Sequence, residues 1–248
     1  MLTMHQDQER SMSMERQPAP RAKALLEALL RRNQHSLGLT NTAVDALVQR
    51  AQLTYWDAGR MIFSPGEETG MVHFLVAGTA KIIAAADGSP MTLCYAKPGR
   101  FLSAAAYADV PEAHWFGAVA HQPAIVAILS VDSMQQVIAQ LPPNLGIGFG
   151  GRRMRSLVRL LYGKCQMLRL PLQERIAAEL GLLAQEFGET VGERVMINLP
   201  LTHEDLSDLV AATRCSVTRA LGELKRMGVV DLVGHRFLLC GAASRSAA

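Results

Sequence analysis

From Leu53 to about Ser130 the chain repeats one pattern, a short run of β-favouring apolar residues followed by a turn marked with glycine or proline. The runs include Met61 to Phe63, Met71 to Val76, Ala80 to Ala84 and Ile125 to Leu129. The turns are Asp57-Ala58-Gly59, Ser64-Pro65-Gly66, Ala77-Gly78, Asp87-Gly88 and Lys97-Pro98-Gly99. Short strands at regular spacing must pair with one another, which predicts an antiparallel sandwich or roll. On either side the apolar period changes to that of a helix. A helix is expected from Arg21 to Arg32, with Leu25, Leu26, Leu29 and Leu30 on one stripe, and a short one from Asn41 to Arg50 with Val44, Leu47 and Val48 inward. After Val131 the stripe is Met134, Val137, Ile138 and Leu141. The fold class is therefore α+β, with an N-terminal antiparallel β module that is either a sandwich or a roll.

At 248 residues and 49% hydrophobic composition the chain holds one large domain or two smaller ones, and disorder throughout is excluded. Residues 1–22 and 243–248 have no apolar period and read as disordered tails. The four cysteines Cys94, Cys165, Cys215 and Cys240 lie far apart with no C-x-x-C pair, which argues against a disulfide framework or a zinc finger and fits a reducing cytoplasm. The mostly apolar stretch from Met134 to Phe149 is broken by Pro142 and Pro143, short of the roughly 18 residues of a membrane span. A cytoplasmic protein without a membrane partner is expected.

Within residues 143–169, Leu157, Leu160, Leu161 and Leu168 form a narrow apolar seam among Arg152, Arg153, Arg155, Arg159, Lys164 and Arg169. A long helix with such a stripe needs a partner helix, so these four leucines are the candidate dimer interface. Pro171 then redirects the chain into a helix ending near Gly188, followed by strands near Val195 to Leu199, Val229 to Leu232 and Arg236 to Leu239. The expected division is a β module with flanking helices at 23–142, a dimerisation helix at 143–169 and a helical module closed by a hairpin at 170–242.

The stretch Leu199 to Gly228 carries the chemistry. Thr202 caps one helix, with Asp205 as the acidic half of a capping-box-like pair and Leu206, Leu209 and Val210 inward. Thr213 caps a second helix with Val217, Leu221 and Leu224 inward, and Gly228 closes it. Two short helices joined at Ala211-Ala212 make a helix-turn-helix. The outward face of the second helix holds Arg214, Cys215, Ser216, Thr218, Arg219 and Gly222, then Lys225 and Arg226. Guanidinium forks reach guanine edges, and hydroxyls serve bases and phosphates, so this face suits a DNA major groove, with Thr202 and Thr213 at the two helix starts as further candidate DNA contacts. Net charge does not carry the reading, because residues 170–248 hold 8 Lys+Arg against 10 Asp+Glu. The local balance does: four bases stand against Glu223 between Thr213 and Gly228. His235 and Arg236, in a wing around Gly234, are placed to meet the neighbouring backbone.

From about Leu53 to Leu239 the chain resembles the CRP/FNR superfamily of bacterial transcription regulators, which implies an N-terminal antiparallel β-roll of jelly-roll type, a long dimerisation helix and a C-terminal winged helix-turn-helix. Three stretches carry the likeness. Pro65-Gly66 followed by His73 to Ile82 is similar to the core of the cyclic-nucleotide-binding β-roll, and Arg152 to Leu168 occupies the place of the dimerisation helix. Leu201 to Leu206 with Thr213 to Arg219 match the winged helix-turn-helix. The resemblance implies that Arg214 and Arg219 fall on DNA-contacting positions. Cys215 stands where the cyclic-AMP receptor subgroup has glutamate, so that subgroup's operator does not transfer, and the string from Thr213 to Leu224 resembles the cyanobacterial nitrogen-regulator branch more. The implied effector pocket includes Arg100, Leu102, Ser103, Ala104 and His114. Ser103-Ala104 replaces the Gly-Glu pair that holds the ribose in cyclic-AMP-binding members, and Ala113-His114 stands about where their phosphate-clamping Arg is expected. A buried cyclic phosphate without a guanidinium costs several kcal/mol, which argues against cyclic AMP in the usual mode.

The resulting expectation is a homodimeric, sequence-specific regulator that binds a palindromic operator in double-stranded DNA, with RNA polymerase as a further candidate partner. No metal, cofactor or catalytic residue is assigned. His73, His114, His121 and Cys94 are the residues a haem would use, but their spacing forms no ligand motif. The signal is left open between an unidentified small molecule, a cyclic dinucleotide outside the usual pocket, and none. A rival reading is a β-roll that regulates a partner protein through its helical tail. An enzyme is disfavoured by the absence of a Ser/His/Asp order, a Gly-rich phosphate loop or a metal-ligand pair at a known spacing.

Overall fold

Helices and strands alternate as the sequence periods require. The computed structural model describes residues 20–67, 70–86, 89–103 and 116–240. Both expected tails fall outside them, apart from the last residues of the first, where helix α1 (Pro20–Arg32) already begins. A single turn α2 (Gln34–Leu37) and helix α3 (Asn41–Arg50) follow. Seven strands come next: β1 (Gln52–Trp56), β2 (Met61–Phe63), β3 (Met71–Ala77), β4 (Ala80–Ala86), β5 (Ser89–Ala96), β6 (Phe116–Ala120) and β7 (Ala124–Ser130). Then come α4 (Val131–Ala139), the long α5 (Pro143–Met167), α6 (Leu172–Phe187), β8 (Gly188–Val191), β9 (Arg194–Ile197), α7 (His203–Leu209), α8 (Arg214–Arg226), β10 (Val230–Val233) and β11 (Arg236–Leu239).

The chain divides into two compact units, residues 1–85 with 96–152 and residues 86–95 with 153–248. In the first, β1, β7 and β3 form one antiparallel sheet in the order β1-β7-β3. Strand β3 is buried from Val72 to Val76, so both of its faces are covered. Val72, Phe74 and Val76 join Leu26 and Leu30 of α1, Val44 and Leu47 of α3 and Met134 and Val137 of α4 in one apolar core. The intervening His73 and Leu75 belong to the opposite face by the two-residue period of a strand, and the His73 ring stacks on Phe63 with centroids 4.7 Å apart. A second sheet of this unit runs β2-β6-β4. Gly78 turns the chain between β3 and β4 at φ +80°, where a Cβ would also strike the Pro123 backbone, so glycine is required there.

The second unit is built on α6, whose Ile176, Leu180, Leu183 and Ala184 face inward at helical spacing. They pack with Leu206 and Leu209 of α7, Val217, Leu221 and Leu224 of α8, and Phe237 and Leu239 of β11. Its sheet has the order β10-β11-β9-β8. The sequence reading marked a hairpin and one further strand there and missed β8. Helix α6 passes into β8 without a loop, because Gly188 leaves room beside the Ala184 carbonyl that a Cβ would fill. A glycine after a helical stripe reads only as a stop. Strands β1, β5 and β6 were likewise not singled out. β6 (Phe-Gly-Ala-Val-Ala) is rich in small residues with weak strand preference, and its Gly117 lies against Pro65.

Candidate nucleic-acid interface

Two capped helices form the helix-turn-helix. Thr202 Oγ1 accepts the Asp205 N–H at 3.0 Å, and Asp205 Oδ2 accepts the Thr202 N–H at 3.0 Å, a complete capping box at the start of α7. Asp205 Oδ1 also accepts from the buried Tyr95 hydroxyl at 3.1 Å. Burial, and then the Asp205 carboxylate, raise that hydroxyl's pKa above the ordinary tyrosine value. The chain leaves α7 through Ala211, whose φ of 49° is left-handed. This is a strained conformation for alanine that turns the chain sharply. Thr213 then caps α8, its Oγ1 accepting the Ser216 N–H at 3.2 Å. Thr213→Ala is expected to cost about 1 kcal/mol of stability, the usual loss for an N-cap, read as a lower urea midpoint.

Burial sorts the faces of α8. Val217, Ala220, Leu221 and Leu224 are buried, while Arg214, Cys215, Thr218, Arg219, Gly222, Lys225 and Arg226 are exposed. The sequence-predicted contact residues separate by what their polar atoms already do. Thr202 and Thr213 serve as caps, and the Thr213 hydroxyl also donates to Ser216 Oγ at 2.9 Å. Thr218 Oγ1 donates to the Arg214 carbonyl at 2.9 Å and meets His203 Nδ1 at 2.9 Å. Lys225 Nζ pairs with Asp231 Oδ1 at 2.7 Å. That hydrogen bond, then the Leu232 N–H, hold the Asp231 carboxyl below its usual pKa. Both partners are exposed, so the pair is weak and its lysine can exchange to a phosphate at little cost. The guanidinium groups of Arg214 and Arg219, by contrast, make no hydrogen bond or ion pair among the described residues. They lie five residues apart, and Cys215, an exposed free thiol, sits between them.

The wing is the β10–β11 hairpin, in which Val233 pairs with Arg236 and Gly234 supplies a φ of +62°. The Leu201 N–H donates to the His235 carbonyl at 3.0 Å, fastening the hairpin to the approach of α7. His235 and Arg236 are exposed at its tip. Among the side chains facing solvent, sequence reasoning had placed Arg214, Cys215, Arg219 and Arg236. It had not seen that Asp231 competes for Lys225.

The expected dimer seam is partly redistributed. Leu161 and Leu168 are exposed, Leu160 is half-buried, and the Leu157 side chain lies outside the described residues. Val158 and Tyr162, which the sequence reading did not include, are 54% and 65% exposed. Val158, Leu161, Tyr162 and Cys165 are related by three- and four-residue spacings on one face of α5, and Leu168 continues the series just past its end. A clearer sequence signal was available in that spacing.

For the candidate effector pocket, the structure gives only part. Ser103 is buried, its Oγ accepting the His73 N–H at 3.2 Å, and the Leu102 N–H donates to the His73 carbonyl at 2.8 Å. Arg100 is exposed, with its carbonyl accepting the Leu75 N–H at 2.9 Å. Ala104 and His114 fall outside the described residues. Among the described residues no cluster of three His, Cys, Asp or Glu side chains could hold a metal ion, and no helix is long and apolar enough to cross a membrane.

Comparison with known proteins gives a consistent result. Residues 174–241 match the Crp-like helix-turn-helix domain. The chain is 23% identical to the global nitrogen regulator of Synechococcus elongatus over 73% of its own length and 82% of that protein. It is 25% identical to the CRP-like cAMP-activated global transcriptional regulator of Mycobacterium tuberculosis over 82% of its length and 90% of that protein. The solved structure of the c-di-GMP-responsive global regulator CLP of Xanthomonas campestris superposes with a TM-score of 0.68 at 18% identity, covering 82% of this chain and all of that one. Each of these relatives is named as a regulator. With a β-roll, a long helix and a winged helix-turn-helix in that order, the chain carries a Crp-like helix-turn-helix domain and is similar over most of its length to transcription regulators of the CRP/FNR type.

Proposed function

We propose that the protein is a homodimer that binds a palindromic operator in double-stranded DNA through α8, in the cytoplasm, and that it does not respond to cyclic AMP in the usual mode. The observation that carries this reading is the pair of exposed guanidinium groups, Arg214 and Arg219, on a helix whose Thr213, Ser216 and Thr218 hydroxyls already serve its own cap and first turn. An α-helix fits a major groove, and an Arg fork meets the two acceptors of guanine there. Lys225, Arg226 and Arg236 then serve the phosphates. Two copies joined along α5 would present two recognition helices about one DNA turn, roughly 34 Å, apart, which is what makes the operator an inverted repeat.

The β-roll is the sensing module in this reading. Its signal differs among the relatives, one of which is named for cyclic AMP and another for c-di-GMP, so the likeness does not choose a ligand. Ser103, at the place of the glycine in the ribose-binding Gly-Glu pair, engages the protein backbone through the His73 N–H. A signal in the β-roll would act by shifting the population of dimers whose recognition helices are correctly spaced. RNA polymerase is the further partner through which a bound regulator would act.

Selection of bound oligonucleotides from a random pool, followed by footprinting with and without cyclic AMP, tests the reading. An inverted repeat whose protection is unchanged by cyclic AMP is expected, with affinity falling steeply as salt rises because counterions are released from the phosphates. Folded protein with no DNA affinity at any salt concentration would overturn it in favour of a module that docks on a protein partner.

A further inference from the structure

The turn between α7 and α8 is held from outside by two cations on the preceding helices. Helix α7 has seven residues, and its last carbonyls point out of the helix without an intrahelical donor. Lys164 Nζ of α5 donates to the Leu209 carbonyl at 3.2 Å, and Arg175 Nη1 of α6 donates to the Val210 carbonyl at 2.8 Å. Positive charge at a helix C-terminus is favourable in itself. Here it also lies immediately before Ala211, the residue in left-handed backbone. Lys164 is anchored in turn by Glu179 Oε2 at 2.9 Å, and Glu179 is almost completely buried, with 4% of its side chain exposed. Burial pushes the Glu179 carboxyl's pKa up while the Lys164 ammonium pulls against it. One of the two polar ties to that turn therefore comes from the exposed-stripe helix α5, only three residues after Leu161.

We propose that Lys164 and Arg175 are positioning residues for DNA recognition: together they lock the α7–α8 turn to α5 and α6, so that α8 moves with the dimer helix as one body. The inference rests on the DNA-binding reading for its biological use but not for its geometry. A shift or rotation of α5 would be delivered to the Leu209 carbonyl through one side chain. Without that link α8 could pivot about the turn, and two recognition helices in a dimer would lose their fixed spacing. Neither cation needs to touch DNA for this.

The test uses full-length Lys164→Met, Lys164→Arg and the double variant Lys164→Met with Glu179→Leu. The double variant removes both charges together and so avoids leaving a buried carboxylate alone, the change most apt to unfold the unit. Hydrogen exchange of the Ala212 amide, bonded to the Ser207 carbonyl at 3.0 Å, reports on the turn without DNA. Operator and random-sequence affinities report on recognition. The double variant is expected to remain a folded dimer, to exchange faster at Ala212, and to lose about ten- to hundredfold in operator affinity, comparable to a mismatch in the site. Its affinity for random DNA and its salt dependence should stay unchanged. Lys164→Arg, which keeps a donor and the charge, should recover most of the operator affinity. Unchanged Ala212 exchange in a folded double variant would overturn the proposal. So would equal losses on operator and random DNA, since that pattern belongs to general destabilisation or a direct phosphate contact. If the wild type bound no DNA, the functional reading would fail while the exchange measurement still decided the positioning role.

Discussion

Leu161→Asp is expected to convert the protein to a folded monomer that has lost about 10²–10⁴ in operator affinity. The argument starts from exposure. Val158, Leu161, Tyr162 and Leu168 are 54%, 47%, 65% and 63% exposed, and with Cys165 they share one face, Leu168 standing just past the end of α5. Monomeric proteins tolerate scattered apolar residues on their surface, but a continuous stripe about three turns long marks a contact. In a symmetric pair, Leu161 of one copy faces the same stripe of the other, so the substitution places two carboxylates where both would lose water without partners. Folding of the single chain is little affected, since Leu161 already stands half in solvent. Affinity falls because the second half-site is then bound as a separate event and no longer by a linked module. Sedimentation gives the oligomeric state and operator titration the affinity. A variant that stays dimeric with full affinity would remove α5 from the role assigned to it.

Arg214→Ala is the second large effect, a loss of about 1–3 kcal/mol on the selected operator with little change on random DNA. The side chain is exposed and uncommitted among the described residues, so its removal disturbs no internal bond and leaves no buried group behind. That separates it from Thr218→Ala, where the bonds to the Arg214 carbonyl and His203 would also go. Arg219→Ala should behave like Arg214→Ala. Lys225→Ala should instead weaken both DNAs alike and shallow the salt dependence by about one counterion. Equal losses on operator and random DNA for Arg214→Ala would show that it contacts phosphate and not a base edge.

Much of the fold was legible where structure follows from neighbours along the chain. The helix from Asn41 to Arg50 and the strands Met61–Phe63 and Arg236–Leu239 coincide with their sequence-based bounds. Both caps of the helix-turn-helix do so as well, because an N-cap hydroxyl reaches an amide only three residues on. Strands with weak local character were less visible. Gly188–Val191 and Phe116–Ala120 are strands because β9, β2 and β4 offer them partners at the right register, and that information is not in their own residues.

Sequence alone determined the periods, the caps and the outward position of Arg214, Cys215 and Arg219, since these depend on interactions over three or four residues of backbone. Tertiary structure decided which polar groups remain available. It paired Lys225 with Asp231 across the start of the wing, buried Glu179 beneath Lys164, and turned Val158 and Tyr162 of α5 to solvent. Those choices join residues brought together only when separate helices and strands pack, and pairing between distant groups leaves no period in the chain from which to read it.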